Sequence, residues 1–379
     1  MHIAFLTPEY PHQNLKASAG LGTSIRNLAE GLSVQKIQVT VFVYDQQKDV
    51  IFNHQGITIH SVAKRKFKFG GWFLYRNFLQ RYINKFIKED KIDILEAPDW
   101  TGITAFSSFE CPLIIRLHGS DGYFCNLENR PQKAKNRLFE KSALRKADYI
   151  ISVSKFCADL TKIIFSVKHE IKVIPNGVDT TIFTPNNKLE ADYQLLYFGS
   201  IIRKKGVLEL AQIVNLVFTR EPKAHLVLAG ADVIDIFTQR STRELFSQEI
   251  EPQYQKRIFF KETLPYNEIN DEIAKASVIV LPSFAEAMPM TWIEAMSMQK
   301  ALVTSDIGWA NELMIDGETG FTVDPKNHSE YADRILELLQ DCALRKKMGA
   351  AARKRVEAKF DMKHVVDQNI LFYKKVIQG

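Results

Sequence analysis

The sequence predicts an α/β protein made of two doubly wound parallel-sheet domains. Three observations predict it. At 379 residues the chain is too long for one ordinary core and suits two domains. Short apolar runs alternate with helical patterns through the first half, and the alternation starts again at Leu195. Between the two series lies Pro175-Asn176-Gly177-Val178-Asp179, a run of turn chemistry.

The elements follow in order. Ile3–Thr7 reads as a strand, and Leu21–Leu32 as a helix with Ile25, Leu28, Ala29 and Leu32 on one face. Val39–Val43 is a strand, Phe73–Lys88 a long amphipathic helix and Ile92–Glu96 a strand. Pro112–Leu117 is a strand that runs into His118-Gly119. Ala134–Arg145 is a basic helix, Tyr149–Val153 a strand, Ser154 the cap of the next helix, and Ile171–Ile174 the last strand of the half. In the second half, Leu195–Gly199, His225–Ala229, Arg257–Phe260, Val278–Leu281, Ala301–Thr304 and Gly320–Val323 read as strands. Val207–Phe218 is a helix, and helices over Tyr331–Gln340, Leu344–Lys359 and Lys363–Ile377 end the chain.

Three stretches carry chemistry. The first is Ser283–Met296, which leaves an apolar strand through a short loop and enters a helix. Pro289 suits the first helical position, and Met288 before it has no capping side chain. The amides of Met290, Thr291 and Trp292 are then free, and free amides at a helix N-terminus attract anions. Glu286 and Glu294 flank that terminus, each able to accept from sugar hydroxyls. The second stretch is Gly199-Ser200-Ile201-Ile202-Arg203-Lys204-Lys205-Gly206, two glycines framing three cations between a strand and a helix. A pyrophosphate needs such charge-assisted donors, and negative charge building on a leaving diphosphate would be stabilised there. The third is Ala19-Gly20-Leu21-Gly22, which fails as a dinucleotide fingerprint because Ile25 stands where the third glycine belongs. His118 ends one strand and Asp99-Trp100 follows another, and open α/β sheets place ligands at such ends.

Glu-x7-Glu followed by Ala295-Met296, after a strand ending in Leu281-Pro282-Ser283, resembles the signature of glycosyltransferase family 4. The Pro-Asn-Gly-Val-Asp segment and the Gly199–Gly206 loop resemble the same family. The resemblance implies retaining enzymes of the GT-B fold, two Rossmann-like domains facing across a cleft. It implies an acceptor domain over 1–178, a nucleotide-sugar domain over 179–360, and a final helix over 361–379 packing back on the first. By the same resemblance Glu294 holds the ribose, Glu286 lies against the transferred sugar, and Lys205 matches the family lysine. Ser200 stands where the family has Arg, and Arg203 is its expected substitute. Gly20 and Gly22 match a glycine pair whose amides face the diphosphate, and His118 a residue that contacts the donor sugar and stabilises charge. Asp99 and Trp100 are expected on the acceptor side. The family often has Phe-Gly after the first Glu, where this chain has Ala287-Met288-Pro289, so sugar choice differs in expectation. The implied substrates are a UDP- or GDP-linked sugar and a glycan or polyprenyl-linked acceptor. No Asp-x-Asp occurs, the motif that holds a divalent metal in the other large glycosyltransferase fold, so no metal or other cofactor is expected.

Bulk properties narrow the classes. Apolar residues make up 46% and charged residues 25%, a globular profile. No run reaches the ~18 apolar residues that span a bilayer. The N-terminus lacks a basic leader region and reads as a first strand. Cys111, Cys125, Cys157 and Cys342 are scattered without metal-ligand spacing, which fits reduced thiols in the cytoplasm. The charge is split. Residues 1–178 hold 25 Lys/Arg and 16 Asp/Glu, and the remainder of the 50 and 44 gives 25 and 28. Basic residues with aromatics at Lys64–Tyr75, and a basic helix from Lys133 to Lys146, suit an anionic membrane face. No nucleic-acid-binding motif accompanies them. Two other functions use the same residues, a nucleotide-sugar epimerase of this fold and a nucleotide-sugar-binding protein without turnover.

Overall fold

The computed structural model describes residues 1–16, 18–186, 191–262, 264 and 266–379. The chain divides into two compact units, Met1–Gly177 with Met362–Gly379, and Val178–Asp361.

Unit 1 contains β1 (His2–Thr7), α1 (Gly20–Val34), β2 (Gln38–Gln46), β3 (Val50–His54), β4 (Ile57–Ala63), α2 (Gly71–Glu89), β5 (Ile94–Pro98), β6 (Leu113–Leu117), α3 (Asp121–Leu127), α4 (Ala134–Lys146), β7 (Tyr149–Ser152), α5 (Lys155–Phe165) and β8 (Ile171–Val173). The strands form one sheet in the order β3-β4-β2-β1-β5-β6-β7-β8. β1, β5, β6 and β7 are buried along nearly their whole length, which is why they read as unbroken apolar runs.

The sheet is parallel except at one edge, where the sequence reading names no strands. β3 pairs antiparallel with β4 and forms the edge. The two-residue turn between them is Gln55-Gly56, both at positive φ (52° and 80°). That geometry matches the twist of paired strands, and Asn53 Oδ1 accepts from the Gly56 amide at 3.1 Å.

Unit 2 contains β9 (Gln194–Phe198), α6 (Val207–Arg220), β10 (His225–Ala229), α7 (Thr242–Glu249), β11 (Ile258–Lys261), α8 (Tyr266–Lys275), β12 (Val278–Leu281), α9 (Met290–Ser297), β13 (Ala301–Ser305), α10 (Ala310–Leu313), β14 (Phe321–Val323), α11 (His328–Gln340) and α12 (Cys342–Lys359). Its six strands are all parallel, in the order β11-β10-β9-β12-β13-β14.

The last helix, α13 (Met362–Gln378), belongs to unit 1. It places Val365, Val366, Tyr373 and Val376 in one core with Ile25, Leu28 and Leu32 of α1. The helices approach so closely that a Cβ on Gly31 would lie 2.5 Å from Val366 Cγ2. Beneath α13, Arg116 of β6 and Glu96 of β5 form a buried two-point ion pair at 2.6 and 3.0 Å. Tyr373 donates to Glu96 at 2.8 Å, and Arg116 donates to Asn369 at 2.5 Å.

Candidate functional site

In unit 2 the strand order reverses on either side of β9, with β10 on one flank and β12 on the other. Ligands of open α/β sheets bind beyond the carboxyl ends of strands at such a switch. The loops after β9 and β12 are the two charged stretches singled out in the sequence. Backbone bonds join them: Lys204 O accepts from the amides of Phe284 (2.8 Å) and Ala285 (3.2 Å). Gly206 stands at φ 70°, and a Cβ there would lie 1.8 Å from Pro282 O, so only glycine permits this approach.

The joined loops bring Lys205 to Glu286, with Nζ 3.3 Å from Oε1. Ser283 Oγ donates to the same oxygen at 3.4 Å. The Lys205 amine lies over Gly199, 3.2 Å from where a Cβ would be, and Thr291 Cγ2 is 3.7 Å from that point. Glu294 is only 6% exposed, and its carboxylate makes no hydrogen bond among the described residues. Burial pushes it up to about 7, while Lys205 pulls it down. A nearly buried carboxylate without a donor is rare in folded proteins and calls for a partner from outside. The first turn of α9 has no side-chain cap either. Pro289 is the capping residue here and not the first helical one, so the open amides begin at Met290. Met288, Pro289 and Met290 are buried behind Glu286 in sequence and hold the loop's shape.

Arg203, the expected substitute for the family Arg, is held by a carboxylate of its own unit. Its guanidinium grips Asp235 through two bonds of 2.7 and 3.0 Å and stacks over Phe237. Asp235 is buried, also accepts from Thr238, and is held down to about 2 chiefly by Arg203. That buried carboxylate needs a countercharge, and Arg203 supplies it. Spacing gave no sign of the pair, because Asp235 comes from the loop after β10. Ser200 contributes its carbonyl to Tyr197 Oη at 2.7 Å.

In unit 1 the switch lies at β1, between β2 and β5. Gly20 opens α1 and is exposed. The Gly22 amide is not open, contrary to expectation. It donates to Glu9 Oε1 at 2.8 Å, and the Ala19 amide donates to the same oxygen at 3.1 Å. Glu9 follows β1, and its charge occupies the positive end of α1. His118 follows β6, where its amide donates to Asp99 Oδ1 at 3.0 Å. Its ring makes no hydrogen bond among the described residues. Burial, with Arg116 nearby, pulls it down to about 3. The ring is therefore neutral at pH 7, and what it offers a ligand is hydrogen bonds. Asp99 is buried, with Oδ2 unpartnered, and burial pushes it up to about 7. Trp100 beside it is 41% exposed. His118, Ser24, Asn176 and Asn369 border one small crevice, with Arg116 and Glu96 at its floor. No group of three or more His, Cys, Asp or Glu side chains able to hold a metal comes together among the described residues.

The chain is similar to known proteins in sequence and in fold. Residues 178–355 match the model described as glycosyl transferases group 1, and residues 18–182 match that of glycosyltransferase family 4. The α-maltose-1-phosphate synthase of Mycolicibacterium smegmatis is 29% identical over 62% of this chain and 65% of its own length. Sucrose-phosphate synthase from Thermosynechococcus elongatus superposes with a TM-score of 0.81 at 20% identity, covering 100% of this chain and 99% of that one. Anabaena HepE in complex with UDP-glucose superposes at 0.77 with 17% identity, over 99% of this chain and 100% of that one. The chain thus has the GT-B fold and belongs to the group 1 glycosyltransferases of family 4.

Proposed function

We propose that this protein is a retaining hexosyltransferase that works without a metal. It moves a hexose from a nucleotide-diphosphate sugar to a hydroxyl of a glycan or lipid-linked glycan in cell-surface polysaccharide synthesis. The observation that carries the donor half of this reading is Glu294, a nearly buried carboxylate with no hydrogen-bond partner among the described residues, beside Lys205 at the sheet's switch point. A ribose diol supplies the two donors such a carboxylate lacks. Lys205 and the open amides of α9 take the diphosphate. As the bond from the sugar's anomeric carbon to the diphosphate breaks, the acceptor oxygen bonds to that carbon on the same face. Its proton passes to the departing phosphate oxygen, and Lys205 offsets the charge that builds there. His118 hydrogen-bonds a sugar hydroxyl as a neutral ring. Asp99 and Trp100 serve the acceptor. The first donor to try is uridine-linked, the class bound by HepE.

A thermal-shift screen against UDP-, GDP-, ADP- and CMP-sugars tests the reading. A ligand at a hundredfold excess over Kd stabilises the folded state by about 2.7 kcal/mol. One nucleotide class should raise the melting temperature, and Glu294→Ala and Lys205→Ala should each abolish the rise. No shift with any donor on folded protein overturns the proposal.

A further inference from the structure

Two basic stretches, residues 64–75 and 133–146, lie far apart in the sequence and meet in unit 1. Lys135 Nζ, in the first turn of α4, is 5.7 Å from the centre of the Trp72 ring, in the first turn of α2. Trp72 also lies 5.9 Å from Phe73 and 6.3 Å from Phe106 between ring centres. These rings are not covered. Phe69 is 86% exposed, Phe73 45%, Trp72 43% and Phe106 40%. Exposed aromatic groups gathered this way mark an interaction surface.

The cations around them divide into two groups. Lys64 and Arg65 pair with Asp45 and Asp49. Lys66, Lys68, Lys133 and Lys135 are exposed, with no carboxylate partner among the described residues. A neutral glycan would stack on the rings and leave four ammonium groups unanswered. A nucleic acid would answer the ammonium groups and leave Phe69 and Phe73 in water. An anionic bilayer satisfies both, with acyl chains for the rings and lipid phosphates for the lysines.

We propose that this surface docks unit 1 on an anionic lipid bilayer, with Phe69, Trp72 and Phe73 entering the headgroup boundary and the four lysines that lack a carboxylate partner lying against lipid phosphates. This deepens the reading above and rests on it only for the acceptor, since docking brings unit 1 to the plane where a lipid-linked glycan is held.

The test is flotation of the full chain with vesicles of phosphatidylglycerol and phosphatidylcholine, and with phosphatidylcholine alone. Binding should require the anionic lipid. Lys66→Glu with Lys68→Glu should weaken it about thirtyfold or more, from about 1 kcal/mol per cation near the surface. Phe69→Ser with Phe73→Ser should weaken it about tenfold, for the loss of apolar burial. Lys346→Glu with Lys347→Glu, on exposed positions of α12, makes the same charge change and should leave binding as it was. The proposal falls if anionic vesicles are not bound, if the α12 pair weakens binding as much, or if the Phe pair has no effect. It falls equally if a single-stranded oligonucleotide, and not the vesicle, is captured through these lysines. Nucleotide-sugar shifts on the same preparations separate the two readings. Vesicle binding without any donor shift would sink the transferase reading and leave this one standing.

Discussion

Glu294 is nearly buried and lacks a hydrogen-bond donor among the described residues. Its folded pKa, about 7, stands above the ordinary 4.5, so the fold favours its protonated form. Below pH 4.5 neither the folded nor the unfolded chain is ionised here, and no penalty arises. As pH rises from 4.5 to 7 the unfolded chain loses the proton first, and the folded state is destabilised by up to about 3 kcal/mol. Glu294→Gln should therefore raise the unliganded melting temperature at pH 8, with the gain shrinking to nothing near pH 4.5, while donor binding is lost. A variant no more stable than the parent at pH 8 would show that the carboxylate is satisfied in the apo protein. Donor affinity should follow the opposite course, rising as pH passes through 7, because the ionised form accepts from two hydroxyls; titrations at pH 6 and 8 decide it. Glu294, Glu286 and Lys205 were legible because the strand–loop–helix pattern fixes where their side chains begin. Asp235 was not, since it reaches Arg203 from the loop after β10, and Glu9 was not, since only the fold of the segment between β1 and α1 returns it to the helix start.

At the scale of elements, the two loops of unit 2 work as one because they are joined at Lys204 and pressed together at Gly206. Gly206→Ala demands a positive φ from alanine and drives its methyl group into Pro282 O. It should lower unfolding free energy by about 3 kcal/mol and abolish the donor shift, as the loop moves Lys205 off Glu286. Gly20→Ala meets no atom within 4 Å and should change stability by about 0.5 kcal/mol or less. Urea unfolding of both variants is the measurement, and equal costs would refute the steric argument. Strands and helices with one clear period were read from the sequence to within a few residues. The β3–β4 hairpin escaped because its first strand is half-exposed and its turn is Gln-Gly, weaker punctuation than Asn-Gly. Short α3 and α10 have too few turns for a period to emerge.

At the scale of the whole molecule, Glu96 and Arg116 bind α13 to the sheet of unit 1 through Tyr373 and Asn369. Tyr373→Phe removes one donor from a buried carboxylate and should cost about 1–2 kcal/mol. Glu96→Ala strands a buried guanidinium and should cost about 3–5 kcal/mol. Denaturant midpoints for unit 1 check both, and a larger loss for Tyr373→Phe than for Glu96→Ala would contradict the assignment of the ion pair as the centre of the network. The apolar face of α13 was visible in the sequence. Arg116 was visible only as a neighbour of His118, because a charge inside a strand tells nothing of its partner until the fold supplies one.

Because α13 comes from the far end of the chain, unit 2 is inserted, in sequence, into an unfinished unit 1. A ribosome makes the eight strands of unit 1 first, yet their core lacks Val365, Val366, Tyr373 and Val376 until the last residues emerge. Glu96 and Arg116 wait as a charged pair with no cover through the synthesis of 184 intervening residues, Val178 to Asp361. Unit 2, whose strands and helices are all in hand by Asp361, is complete before the unit that precedes it. Nascent chains in which residues 362–379 are replaced by an unstructured linker long enough to fill the ribosomal exit tunnel should carry a protease-resistant second half behind a digestible first half.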